Sequence, residues 1–77
     1  MTLSLGALAA TVNINAADAE TLSKELKGIG PVKAAAIVEY RKHHGAFSSP
    51  DQLTQVEGIG VKLLELNRAR IVVREQE

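Results

Sequence analysis

The sequence predicts an all-α domain built from two copies of one helical unit, related by a pseudo-twofold axis. Three observations carry that prediction. First, Gly28-Ile29-Gly30 recurs as Gly58-Ile59-Gly60 thirty positions later, so four of the chain's six glycines sit in two copies of one tripeptide. Second, the flanks repeat as well. An aliphatic residue stands two places before each turn (Leu26, Val56), a lysine follows each soon after (Lys33, Lys62), and amphipathic runs lie on both sides. Third, apolar residues make up 45% of the 77 residues while aromatics make up 3%, so the core must be aliphatic. A chain this short forms one domain with a modest core, which neither half could build alone.

Taken in order, Met1 to Ala10 is small and apolar, and Ala7-Leu8-Ala9 has the small-x-small form of a signal-peptidase site, so residues 1–11 are expected to be a disordered terminus or the remnant of a signal peptide. They are set apart from the folded domain, expected over residues 12–74, with 75–77 a tail. Val12 and Ile14 alternate with polar residues, as expected of a short extended lead-in that drops two side chains onto the core. Asn15 is the expected N-cap of a first helix from about Ala16 to Leu26, with Leu22 and Leu26 on one face. Pro31 suits the first turn of a second helix, which presents Ala34, Ile37, Val38 and Arg41 and ends before Gly45. Phe47 is expected to plug the gap between the halves. Ser49-Pro50-Asp51-Gln52 reads as a capping box opening a short third helix over Pro50 to Val56. A fourth helix runs from Val61 to about Val72, with Leu64 and Ile71 inward and Leu63 or Leu66 partly so.

Each tripeptide supplies what a tight turn between helices needs. The first glycine suits a C′ position with φ > 0, and the isoleucine can point into the core. The second glycine lies just ahead of the next helix and lets another backbone come close. The N–H groups at that helix start form an anion site favoured by the helix dipole. Two such sites on one small domain suggest a partner offering two phosphates. Neither copy is a nucleotide fingerprint: no Gly-x-x-x-x-Gly-Lys-Ser/Thr and no third glycine is present.

These residues resemble the helix-hairpin-helix family, and more closely the tandem domain of ComEA-type competence DNA-binding proteins. The resemblance runs through Val12-Asn13-Ile14-Asn15-Ala16-Ala17 and Leu26-Lys27-Gly28-Ile29-Gly30, with Ala34, Ile37, Tyr40 and Arg41. It continues through Gly45-Ala46-Phe47, Ser49-Pro50-Asp51-Gln52-Leu53, Val56-Glu57-Gly58-Ile59-Gly60 and Leu64, covering roughly residues 12–73. Lys27 and Glu57 stand where many relatives carry proline. Asn67 stands where the repeat, through Ile37, calls for an aliphatic residue, so the last helix is expected to pack less securely than the second.

The resemblance implies sequence-independent binding of double-stranded DNA, with one hairpin on each strand across a minor groove. Backbone groups of Gly28, Ile29, Gly30, Val32, Gly58, Ile59 and Gly60 would meet phosphates, with Lys33 and Lys62 adding charge. Lys27, Arg41, Lys42, Arg68 and Arg70 are weaker candidates on the rim. It further implies a role in DNA uptake during natural competence, periplasmic or secreted, beside other uptake proteins. Some members of the family also hold a monovalent cation on hairpin carbonyls, and no other cofactor is expected. A protein-docking module, or a cytoplasmic accessory domain of a repair or recombination protein, would use the same fold.

Composition and side-chain patterns bear on the rivals. Net charge is zero, yet residues 27–44 carry a positive excess of three and residues 57–74 an excess of two, so the cations gather around the hairpins. Cysteine is absent, which removes thiolate metal sites and a cysteine nucleophile. His43 and His44 point about 100° apart on a helix and share a metal poorly. Ser23, Ser48 and Ser49 lack a histidine–carboxylate partner, and Tyr40 reads as packing, so no enzyme is expected. No apolar run is long enough to span a bilayer.

Overall fold

The computed structural model describes residues 11–74, so the expectations for the first ten residues and the last three lie outside the described residues. Strand β1 (Val12–Asn13) leads into α1 (Ala19–Glu25) and α2 (Pro31–His44). A 3-10 helix over Pro50–Gln55 follows, then α3 (Val61–Asn67), a 3-10 turn over Arg68–Arg70, and β2 (Ile71–Val72). The domain is thus mostly helical, with the expected pair of helical units and one addition. β1 and β2 pair in parallel, Val12 with Ile71 and Asn13 with Val72, and tie the two ends of the domain together.

The last helix is therefore shorter than expected, giving way to extended chain at Ile71 instead of running to Val72. Burial explains the exchange. Val12, Ile14 and Ile71 are all buried, and pairing the strands satisfies backbone groups that must enter the core with them. Leu63 packs against the core as expected, whereas Leu66 is exposed.

The start of α1 also differs. Asp18, not Asn15, is the N-cap, its carboxylate accepting from the Thr21 N–H at 2.9 Å. Asn15 is buried instead, and its amide grips one peptide: Oδ1 accepts from Phe47 N at 2.7 Å while Nδ2 donates to Phe47 O at 3.0 Å. The intervening residues form a turn, in which Ala16 and Ala17 donate to the Asn13 carbonyl. The Asn15 clamp holds Phe47 between the halves, where its ring is buried and stacks on Tyr40 at 5.2 Å.

At the third helix the capping box is shifted by one residue. Ser49 makes no side-chain cap, and Gln52 instead accepts from the backbone N–H and hydroxyl of Ser48. The second helix matches expectation: Pro31 opens it, Ala34 and Ile37 are buried, and Gly45 closes it with φ 90°. The pseudo-twofold is visible in burial. Shifted by thirty, Ile29 and Ile59, Ala34 and Leu64, and Ile37 and Asn67 are buried in pairs.

Candidate nucleic-acid interface

Both hairpins are turns of four residues, Leu26–Ile29 and Val56–Ile59. In the second, Ile59 N donates to Val56 O at 3.0 Å, and Gly58 has φ 93°. Among the described residues positive φ is confined to Gly28, Gly45 and Gly58, so Glu57 has negative φ and the turn is type II with glycine at its third position. Gly28, at φ 73°, holds the matching place in the first turn. The expected positive φ is therefore present, but the C′ position is not. α1 closes at Leu26 and the 3-10 helix at Val56, so each glycine belongs to a separate turn two residues beyond the cap. The second position of a type II turn favours proline, which accounts for the family pattern from which Lys27 and Glu57 depart.

Gly30 and Gly60 behave differently. Their φ values of −85° and −105° are open to any residue, and a Cβ on either would meet nothing within 4 Å. Nothing inside the fold requires glycine there. Each is the N-cap of a helix and supplies no side-chain cap. The first intrahelical bonds are Ala34 N to Gly30 O and Leu64 N to Gly60 O. The amides of Val32 and Lys33, and those of Val61, Lys62 and Leu63, thus lack an intrahelical acceptor. Val32 and Val61 stand beside them, 84% and 65% exposed. Ile29 and Ile59 are buried and offer a ligand backbone alone, and the Ile59 N–H is already used within its turn.

The two units also reach across to one another. The Lys33 stem lies over the second hairpin, Cγ and Cε each 3.6 Å from where a Gly58 Cβ would sit. Leu63, thirty positions after Lys33, covers Gly28 in the same way, its Cδ1 2.8 Å from the corresponding point. Lys33 therefore matches Leu63 in the repeat, and Lys62 matches Val32. The sequence pairing of Lys33 with Lys62 followed proximity to the glycines, whereas the thirty-residue offset already held the correct partners.

Asn67 overturns the expectation of a loosely packed last helix. It is 2% exposed and grips the first hairpin as Asn15 grips Phe47. Its Oδ1 accepts from Lys27 N at 2.7 Å, and its Nδ2 donates to Lys27 O at 2.8 Å and Leu63 O at 3.1 Å. A polar side chain in a core position is tolerated because its donors and acceptor are satisfied. In exchange, the turn at Lys27–Gly28 is fixed to the helix that follows the second hairpin.

Several rim cations are engaged elsewhere. Arg41 Nη1 donates to Ile14 O at 2.9 Å and Ala17 O at 2.7 Å, and burial lowers its pKa, partly offset by Asp18. Arg68 lies between Glu65 and Asp51, with Nη2 2.6 Å from a carboxylate oxygen of each. Its hydrogen bonds with Glu65, then with Asp51, raise its pKa, and the same contact lowers that of Glu65. Lys42 meets Glu39 at 3.7 Å. Among the described residues, Lys27, Lys33 and Lys62 make no ion pair.

Two glycine turns, each opening a helix by its amides, are the geometry of a helix-hairpin-helix repeat, and the family's helix-hairpin-helix motif matches residues 9–72. The chain belongs to the helix-hairpin-helix family. This helix-hairpin-helix domain is 42% identical over 69 residues to ComE operon protein 1 of Bacillus subtilis, covering 90% of the chain and 33% of that protein. That similarity bears out the resemblance to the ComEA-type domain. It is 52% identical over 61 residues to an uncharacterized protein of Haemophilus influenzae, covering 79% of the chain and 54% of the relative. A segment of the rat endonuclease/exonuclease/phosphatase family domain-containing protein 1 is 35% identical over 60 residues, 78% of the chain and 10% of that protein. The domain thus spans about half or less of the length of these curated relatives.

Proposed function

We propose that this domain binds double-stranded DNA without sequence preference, each hairpin holding one phosphate on opposite strands across a minor groove. The observation that carries the reading is the pair Gly30 and Gly60. Neither backbone angle nor packing calls for glycine at either, yet both keep clear the approach to uncapped helix-start amides. A phosphate oxygen is a fitting acceptor for such amides. Lys27, Lys33 and Lys62 supply charge around them, while Arg41 and Arg68 serve the fold and leave the rim set. Contacts of this kind position a protein on DNA but read no bases.

Similarity to ComE operon protein 1 supports DNA binding in competence, and on our reading the domain serves DNA uptake in a periplasmic or secreted setting beside other uptake proteins. Among the described residues, no helix is long and apolar enough to cross a membrane.

The test is a titration of the full chain against random-sequence duplexes over a range of salt. With about two phosphates neutralised, one at each hairpin, log K against log salt should have a slope near −1.8, and unrelated duplexes should bind alike. Folded protein that fails to bind duplex at low salt would end this reading and favour a protein-docking module.

A further inference from the structure

The two hairpins exchange their covering side chains, and the exchange is unequal. Lys33 extends across Gly58, whereas Leu63 extends across Gly28. We propose that Lys33 delivers its ammonium to the second hairpin, not to the one it follows in sequence. Lys33 and Lys62 then converge on one phosphate at the Gly58–Lys62 turn, and the first hairpin holds its phosphate with backbone amides and Lys27. This inference rests on the phosphate-clamp reading above and says which cation serves which clamp.

Three observations carry it. The Lys33 stem passes over the second turn, with Cγ and Cε each 3.6 Å from where a Gly58 Cβ would sit, so the ammonium attached to Cε lies near that turn while the residue is half-buried. This is the way a lysine covers a surface and keeps its charge in water. No carboxylate lies within ion-pair distance of Lys33 among the described residues. Finally, charge at the turns is inverted. The first turn has Lys27 at its second position and is covered by apolar Leu63; the second has Glu57 there and is covered by Lys33. Exposed Glu57 repels an incoming phosphate, and a cation brought from the other unit offsets it where the second hairpin needs it.

Lys33→Met separates charge from packing, since the methionine stem still covers Gly58. Backbone amide resonances would be followed while a short random-sequence duplex is added to the full chain. With Lys33→Met, DNA-induced shifts at Gly58, Gly60 and Lys62 should shrink severalfold, and those at Gly30 and Val32 should persist. In salt titrations, Lys33→Met with Lys62→Ala should together flatten the slope by about 0.9, one phosphate contact, and not by about 1.8. Conversely, Leu63→Lys should raise duplex affinity by giving the first hairpin a second cation beside Lys27, with the slope unchanged because no further phosphate is engaged. Loss of shifts at Gly30 and Val32, or no change at either turn, would overturn the exchange and leave the clamp reading standing. If neither turn's amides shift when duplex is added to the unaltered chain, the clamp reading itself fails.

Discussion

At the scale of single residues, four glycines of similar sequence context do different work. Gly28 and Gly58 are required by the fold, because φ near +73° and +93° is strained for other side chains. Gly30 and Gly60 are not, and this freedom is what directs attention to an outside partner. Asn67 joins the two kinds of requirement. It replaces an aliphatic side chain in the repeat, yet it satisfies both polar groups of the Lys27 peptide and so fixes a turn on the far side of the pseudo-twofold. Asn67→Leu restores the apolar pattern with the same branching but a bulkier side chain, and leaves the Lys27 N–H without its acceptor. The expected result is a loss of about 1–2 kcal/mol in denaturant unfolding. Duplex affinity measured on the remaining folded protein should also fall, as the first turn loosens. Unchanged stability would show that the clamp contributes nothing to the fold.

At the scale of elements, the sequence was legible wherever a local signal governs. Pro31 and Gly45 bracket α2, and the paired Gly-x-Gly turns mark both hairpins. What escaped it depends on partners far away in the chain. Asn15 looks like an N-cap to its neighbours, but the Phe47 peptide, 32 residues on, claims its amide. The capping role then falls to Asp18, three residues later. Likewise Ile71 and Val72 fit a continuing helix until β1 is brought beside them. Asp18 gives the first element a measurable signature. Its hydrogen bond from the Thr21 backbone N–H, more than any other cause, lowers its carboxyl pKa. A depressed carboxyl contributes stability that is full above its unfolded value, about 3.9, and is lost as pH falls through the lower folded value. Thermal melts taken from neutral pH into acid should therefore show a declining limb, flatter in Asp18→Asn, whose amide caps without titrating. An identical acid limb in the variant would remove Asp18 from the account.

At the scale of the whole molecule, a chain of zero net charge presents cations at two turns held in fixed relation. The parallel strands join the ends, Asn15 holds Phe47 at the junction, and Asn67 ties one hairpin to the helix of the other. Arg41 bonds to carbonyls of the framework and Arg68 pairs with Asp51 and Glu65 at the surface, while Lys27, Lys33 and Lys62 at the hairpins make no ion pair among the described residues. The most direct measurement of phosphate binding at the helix-start amides is the random-duplex affinity of Gly30→Asn combined with Gly60→Asn, taken beside its thermal stability. Asparagine is a better N-cap than glycine by a few tenths of a kcal/mol, and its side chain would occupy the amides assigned to phosphate. The double variant should be as stable as the original or slightly more so, with duplex affinity reduced alike for every sequence tested. A variant that is equally stable and binds duplex with unaltered affinity and salt slope would contradict phosphate binding at those amides.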